Sequence, residues 1–137
     1  MNYTAYTTEE IENNKFESAF KELSIEKLHI NDVLVKVEWS SLNYKDALSA
    51  KGHKGITREY PHTPGVDTAG IVESSNVDGI SKGDTVIITG HDLGMNTNGG
   101  FAEYGSSYFP NIRIGITILH ASFGHARSSQ KDLENFL

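Results

Sequence analysis

The sequence predicts a mainly β fold with short helices, and two observations carry that expectation. The stretch DVLVKVEWSS (residues 32–41) sets Val33, Val35, Val37 and Trp39 in alternation with Leu34, Lys36, Glu38 and Ser40. That is the period of a half-buried strand. Two further aliphatic runs, VDTAGIVESS (66–75) and DTVIITG (84–90), are joined by the turn-rich NVDGISKG, so a strand–turn–strand unit follows the first strand.

Taken in order, YTAYTT and FESAFKELSI each supply a strand at the margin of the sheet, and the second also tolerates a helical reading. The strand of residues 32–41 leads into NYKDALSAKG, whose helix formers end on Gly52, which suits a short helix closed by glycine at C′. HKGITREYPHTPG is a loop punctuated by Pro61, Pro64 and Gly65. After the two paired runs, GHDLGMNTNGG has neither G-x-G-x-x-G nor G-K-[ST], so it reads as a surface turn rather than a phosphate loop. GFAEYGSSY is another strand candidate. Past Tyr108 the texture changes: NIRIGITIL alternates isoleucine with Arg113, Gly115 and Thr117, and SSQKDLENFL suits a frayed terminal helix.

A chain of 137 residues with 37% hydrophobic content fits one ordinary domain with a modest core. Its formal net charge of −6 argues against a surface that tracks nucleic-acid phosphates. With no cysteine there is neither a disulfide, a thiol nucleophile nor a Cys-based zinc knuckle. The N-terminus lacks a basic start followed by an apolar run, and nowhere do ~18 apolar residues follow one another. The expectation is a soluble, cytoplasmic protein without a membrane or nucleic-acid partner.

Two stretches together, LVKVEWSSLNYKDAL and PHTPGVDTAGIVESSN…GISKGDTVI, resemble the medium-chain dehydrogenase/reductase superfamily. They are most similar to its zinc-independent quinone-oxidoreductase branch, in the subgroup that contains acrylyl-CoA reductases. The likeness runs from about the N-terminus to GGFAEY. It rests on the order and spacing of NYKDAL, REYP, PGVDTAGIV, KGDTVI and GGFAEY, since any one of these alone is unspecific. The resemblance implies a GroES-like, partly open β-barrel. Residues 1–108 would form an incomplete substrate-side catalytic domain and residues 109–137 a divergent tail. It also implies that no metal is bound, because Asn43 and Val66 stand where zinc-dependent relatives place a cysteine and a histidine. An amide and an isopropyl group do not replace a thiolate and an imidazole.

Enzymes of this kind reduce an activated carbon–carbon double bond, in an enone or an enoyl-CoA thioester, or a quinone, with hydride from NADPH. The β-carbon takes the hydride and the α-carbon a proton, so the protein must supply hydrogen-bond donors and an acid. The resemblance implies Tyr44 as the acid and Asn43 as an amide that donates to substrate or positions the ring. Asn43, Tyr44 and Lys45 would lie against NADP(H), and Arg58 against substrate. Each residue also has a plain reading. Tyr44 would be a strand-end packing residue with a solvated hydroxyl. Lys45 and Asp46 either tune Tyr44 or cap and solvate the helix N-terminus. Asp67 either acts at the site or is a carboxylate bonded to loop amides. Lys51, Lys54 and Arg58 either meet coenzyme A phosphates or belong to a solvated loop. His120 and His125, five apart with no third ligand at regular spacing, do not make a metal site.

Relatives continue into a Rossmann domain that seats the dinucleotide on a glycine-rich turn between strand and helix, and full-length relatives are possible homodimers. The sequence contains no such turn, and the segment after GGFAEY departs from the family pattern. Three readings follow. The chain is the substrate side of an NADPH-dependent reductase, inactive until a cofactor domain completes it. Alternatively it is a non-catalytic GroES-like fragment or binding module. A metal-dependent hydrolase is the third, disfavoured by the histidine spacing.

Overall fold

The computed structural model describes residues 1–28, 32–108 and 112–114. Asn2–Glu12 (β1) and Lys15–Ser24 (β2) form an antiparallel hairpin, with Asn14 in the left-handed region at its turn. FESAFKELSI is therefore a strand, and its helical reading is set aside. A single 3-10 turn, Ile25–Lys27, follows. Val33–Ser40 (β3) leads into the helix Tyr44–Ala50 (α1), capped by Lys51 and closed by Gly52 at φ 79°. Asp67–Ser75 (β4), Thr85–Thr89 (β5), Tyr104–Ser107 (β6) and Ile112–Ile114 (β7) complete a five-stranded sheet in the order β6-β3-β4-β5-β7.

Strand alternation explains the main core and also where it fails. Val33 and Val35 from β3 meet Val72, Val86, Ile88 and Ile112 on one face, with Ile80 and Leu93 from the connections. Each such aliphatic side chain contributes roughly 1.5–3 kcal/mol on burial. Trp39 has the parity of Val33, yet it packs with Ala69 and Ile87 on the opposite face. The reason is a register shift between Val37 and Trp39 against β4. An extra residue in one strand turns every later side chain over. Leu34, which the alternation places on the wetter side, is also buried, because Tyr3 and Ala5 of the hairpin cover it.

The hairpin joins the larger sheet through single bridges rather than a continuous ladder. Ala5 pairs with Ala102, and Thr8 with His62. The segment GFAEY is mostly not strand: β6 begins at Tyr104, while Phe101 offers its carbonyl to the Tyr6 amide at 2.8 Å. The alternating isoleucines past Tyr108 begin with an edge strand, since Ile112–Ile114 pairs with Val86–Ile88 of β5. The terminal helix expected in SSQKDLENFL, and His120 and His125, lie outside the described residues.

Candidate active site

The junction between β3 and α1 is built from two carboxylates that cross the same gap in opposite directions. Asp46, in the first turn of α1, has no solvent exposure. Its Oδ1 accepts from the Gly65 amide at 3.1 Å and the Val66 amide at 2.9 Å, and its Oδ2 accepts from the Asn43 amide at 2.8 Å. Asp67, the first residue of β4, reaches back. Its Oδ2 accepts from Ser41 Oγ at 2.9 Å and from Asn43 Nδ2 at 3.0 Å, and Asn43 Nδ2 also donates to Ser41 Oγ at 2.9 Å. Ser40 Oγ donates to the Asp67 carbonyl at 2.8 Å. The local sequence explains the start of α1: Asn43 is its N-cap with extended backbone, and Asp46 is the acidic residue three places on, the capping-box spacing.

Burial pushes the Asp46 carboxyl above the ordinary carboxylate range; the three amides pull the other way, and the charge of Asp67 adds to the rise. Asp46 is therefore a buried tie between α1 and the start of β4, not a solvated cap. The loop amides that one reading of the sequence gave to Asp67 are bound by Asp46 instead, whereas Asp67 takes side-chain donors.

Tyr44 opens α1 immediately after the N-cap and is 76% exposed, the most exposed of the large hydrophobic side chains among the described residues. Lys45 beside it is exposed, Asn43 half-buried and Val66 buried. The structure thus brings Asn43, Tyr44 and Asp67 to one junction. Arg58 lies exposed on the loop after α1. In that same loop Lys54 is committed elsewhere: Nζ pairs with Glu10 at 2.8 Å and sits 5.0 Å from the ring centroids of Phe16 and Tyr60. Lys54 therefore does not offer a free charge to a phosphate. Sequence reasoning missed Ser41 as a partner of both Asn43 and Asp67. The Asn–x–x–Asp spacing does signal the capping role of Asp46, but nothing in it signals the reach to residues 65–66.

The glycine-rich segment of residues 90–100 is a surface turn only in part: His91, Asp92, Asn96 and Asn98 are exposed, but Leu93, Gly94, Gly99 and Gly100 are buried. It lies backbone to backbone on residues 63–65. Gly99 N donates to Thr63 O at 2.7 Å, Gly100 N to Gly65 O at 2.9 Å and Phe101 N to Pro64 O at 3.0 Å. A Cβ on Gly94, whose φ is +68°, would come within 2.6 Å of the Gly65 backbone. These amides are spent on protein carbonyls, so they form no cradle for a pyrophosphate. The N-terminus of α1 is occupied by its own carboxylate as well. Neither of these two groups of backbone amides is free to fit the phosphates of a dinucleotide. Nor do any three His, Cys, Asp or Glu side chains among them gather to hold a metal ion. No helix there is long and apolar enough to cross a membrane.

Under this clasp sits His62, 4% exposed, whose backbone bridges Thr8 and whose ring stands edge-on to Tyr60 at 6.3 Å. Burial pushes its imidazole below the ordinary value, against the effect of a hydrogen bond to the Gly94 backbone. Its Nε2 has no partner among the described residues.

Known proteins give this arrangement a context. YhfP of Bacillus subtilis, a proposed quinone oxidoreductase, is 46% identical over 86 residues, covering 63% of this chain and 26% of its own. Its crystal structure with NAD bound superimposes with a TM-score of 0.78 at 37% identity, over 83% of this chain and 34% of that one. The acrylyl-CoA reductase AcuI of Ruegeria pomeroyi is 41% identical over 92 residues, 67% of this chain and 28% of AcuI. The yhdH oxidoreductase of Salmonella enterica, solved in complex with NADP, gives a TM-score of 0.78 at 35% identity, covering 85% of this chain and 35% of that one. The chain thus spans about a quarter to a third of the relatives it matches. Residues 29–108 match the alcohol dehydrogenase GroES-like domain, and with a mainly β fold of that kind around a polar strand–helix junction, the chain belongs to this family of the medium-chain dehydrogenase/reductase superfamily.

Proposed function

We propose that the chain is the substrate side of a zinc-free, cytoplasmic, NADPH-dependent reductase acting on the activated double bond of an enoyl-CoA-type thioester, or on a quinone. The observation that carries this reading is the exposed phenol of Tyr44 on a first helical turn fixed from both sides by Asp46 and Asp67. An acid must be held where the substrate carbon will lie, and a rigid strand–helix junction does that better than a free loop. NADPH, held outside the described residues, would supply the hydride in the whole protein. Tyr44 Oη would give its proton to the α-carbon as that carbon takes up charge. Asn43, whose Nδ2 is already engaged with Ser41 and Asp67, would position the turn that bears Tyr44 and line the nicotinamide side with Lys45. Arg58 would meet the phosphates of a coenzyme A thioester. Asn43 and Val66 in place of a thiolate and an imidazole support a zinc-free site.

The test joins the chain in frame to the cofactor domain of a relative and measures NADPH oxidation with acryloyl-CoA and with a simple quinone. The joined protein is expected to turn over and the 137-residue chain alone to show no detectable reduction. Tyr44→Phe keeps the ring and removes the acid, so turnover on the thioester should fall ~10²-fold or more. Asn43→Ala should cost less. A quinone, protonated readily by water, should be less sensitive to both. Full activity of Tyr44→Phe on the thioester removes the residue from the chemistry, and turnover by the chain alone removes the need for a second domain.

A further inference from the structure

We propose that Asp67 is a positioning residue for this reduction, acting through Asn43; the inference rests on the reading of Tyr44 just given. The Asp67 Oδ2, Ser41 Oγ and Asn43 Nδ2 atoms close a ring with sides of 2.9, 3.0 and 2.9 Å. An acceptor oxygen facing an amide draws its nitrogen, so Asp67 Oδ2 turns the Asn43 nitrogen toward β4 and its oxygen away. The ring joins residues 24 and 26 apart in sequence, and therefore ties the N-cap of α1 to the first residue of β4. Asp46 makes the complementary tie, from α1 to the Gly65 and Val66 amides. Asp46 sets how closely the two segments approach. Asp67 sets how the N-cap side chain is turned, and with it the course of the chain into Tyr44, the next residue. Asp67 is only half-buried, and its side chain makes no ion pair among the described residues. An acceptor held there for orientation fits those facts better than a group held for packing.

The first experiment needs no cofactor. In the 137-residue chain, the Asn43 side-chain NH₂ pair is followed by ¹⁵N NMR. Asp67→Ala should speed its hydrogen exchange about tenfold or more, because the hydrogen bond to the Oδ2 acceptor is lost, while Asp67→Asn, turned to present its oxygen, should retain most of the protection. Unchanged exchange in Asp67→Ala overturns the proposal. The second uses the chain joined to a cofactor domain. Asp67→Ala should lower kcat on the thioester by roughly 10- to 100-fold, and Asp67→Asn should recover most of it. The double variant with Asn43→Ala should be no slower than Asn43→Ala alone. Additive losses, or equal losses in Asp67→Ala and Asp67→Asn, overturn the proposal. If Asp67→Ala loses its NMR dispersion, Ser41→Ala takes its place: it removes one side of the ring and should give a smaller loss of the same kind, and no loss in either experiment counts against the ring. Should Tyr44→Phe prove fully active, the reading of Tyr44 falls, while the exchange experiment still decides whether Asp67 orients Asn43.

Discussion

The loop after α1 and the loop after β5 are of similar length, yet they are held mainly by different means. Residues 51–61 are fastened by side chains: Lys54 to Glu10 and across the Phe16 and Tyr60 rings, Ser49 Oγ to Thr57 Oγ1 at 2.7 Å, and Tyr60 Oη to the Ser49 carbonyl at 2.8 Å. Residues 90–101 are fastened chiefly by their own backbone on residues 63–65, through Gly99, Gly100 and Phe101, with the Asn98 Oδ1 accepting from the Thr63 amide at 3.0 Å. Side-chain fastening is a sum of modest, replaceable contacts. Backbone fastening has no substitute, because an added methyl group separates the strands of chain that bond.

The sharpest way to break the second loop is Gly94→Ala. The left-handed backbone alone costs about 1–2 kcal/mol for a non-glycine residue, and the clash with the Gly65 backbone comes on top. Gly90→Ala is the internal control: its φ is +65°, but a Cβ there meets nothing within 4 Å. Urea denaturation should show Gly94→Ala losing clearly more stability than Gly90→Ala. Equal losses would mean that the close approach carries no weight.

Where the two loops meet, His62 makes the comparison sensitive to pH. Its folded pKa is depressed by burial, so the unfolded chain binds the proton more readily. Stability from this group is fully present above the unfolded value of about 6.5 and is lost as pH falls toward the folded value. Asp46, whose folded pKa is raised, acts in the opposite sense: its contribution falls as pH climbs from the unfolded value through the folded one. Urea midpoints for the chain should therefore decline from pH 7.5 to 5.5, and His62→Gln should flatten that decline. An unchanged slope in His62→Gln would assign the decline to another group.

The smallest effect is expected in the side-chain-held loop. Lys54→Ala removes the contact with both rings, a loss of about 0.5–1 kcal/mol for a partly exposed cation–π pair, and thermal unfolding should register it as a small downward step. A loss as large as that of Gly94→Ala would show that the two loops are not held differently after all.

Much of the sheet was legible because its signals are local. Val33 and Val35 announce their face by alternation, the aliphatic run of β5 announces a strand buried on both faces, and Gly52 announces the end of α1. The flip of Trp39 was not legible, since a bulge is a property of two paired strands and leaves no mark on one. The burial of Leu93, Gly94, Gly99 and Gly100 was hidden for a similar reason. Glycine signals freedom to turn, and only the presence of residues 63–65 makes it a close contact. At the junction, family resemblance singled out Asn43 and Tyr44 and left Asp67 open, and the division of labour between the carboxylates depends on which one points across the gap.

The way the hairpin is attached also sets an order of assembly. The Thr4 amide donates to Glu103 Oε2 at 2.7 Å, a bond spanning 99 residues, and the Tyr6 amide finds its acceptor at Phe101. On a ribosome adding about 5–20 residues per second, the first strand emerges roughly 5–20 s before those partners exist. During that interval β1 has only β2 to pair with, and an isolated two-stranded hairpin is marginal in water. Nascent chains stalled before and after Phe101 should therefore differ abruptly in protease resistance at their N-termini, making the beginning of this chain among the last parts to become secure.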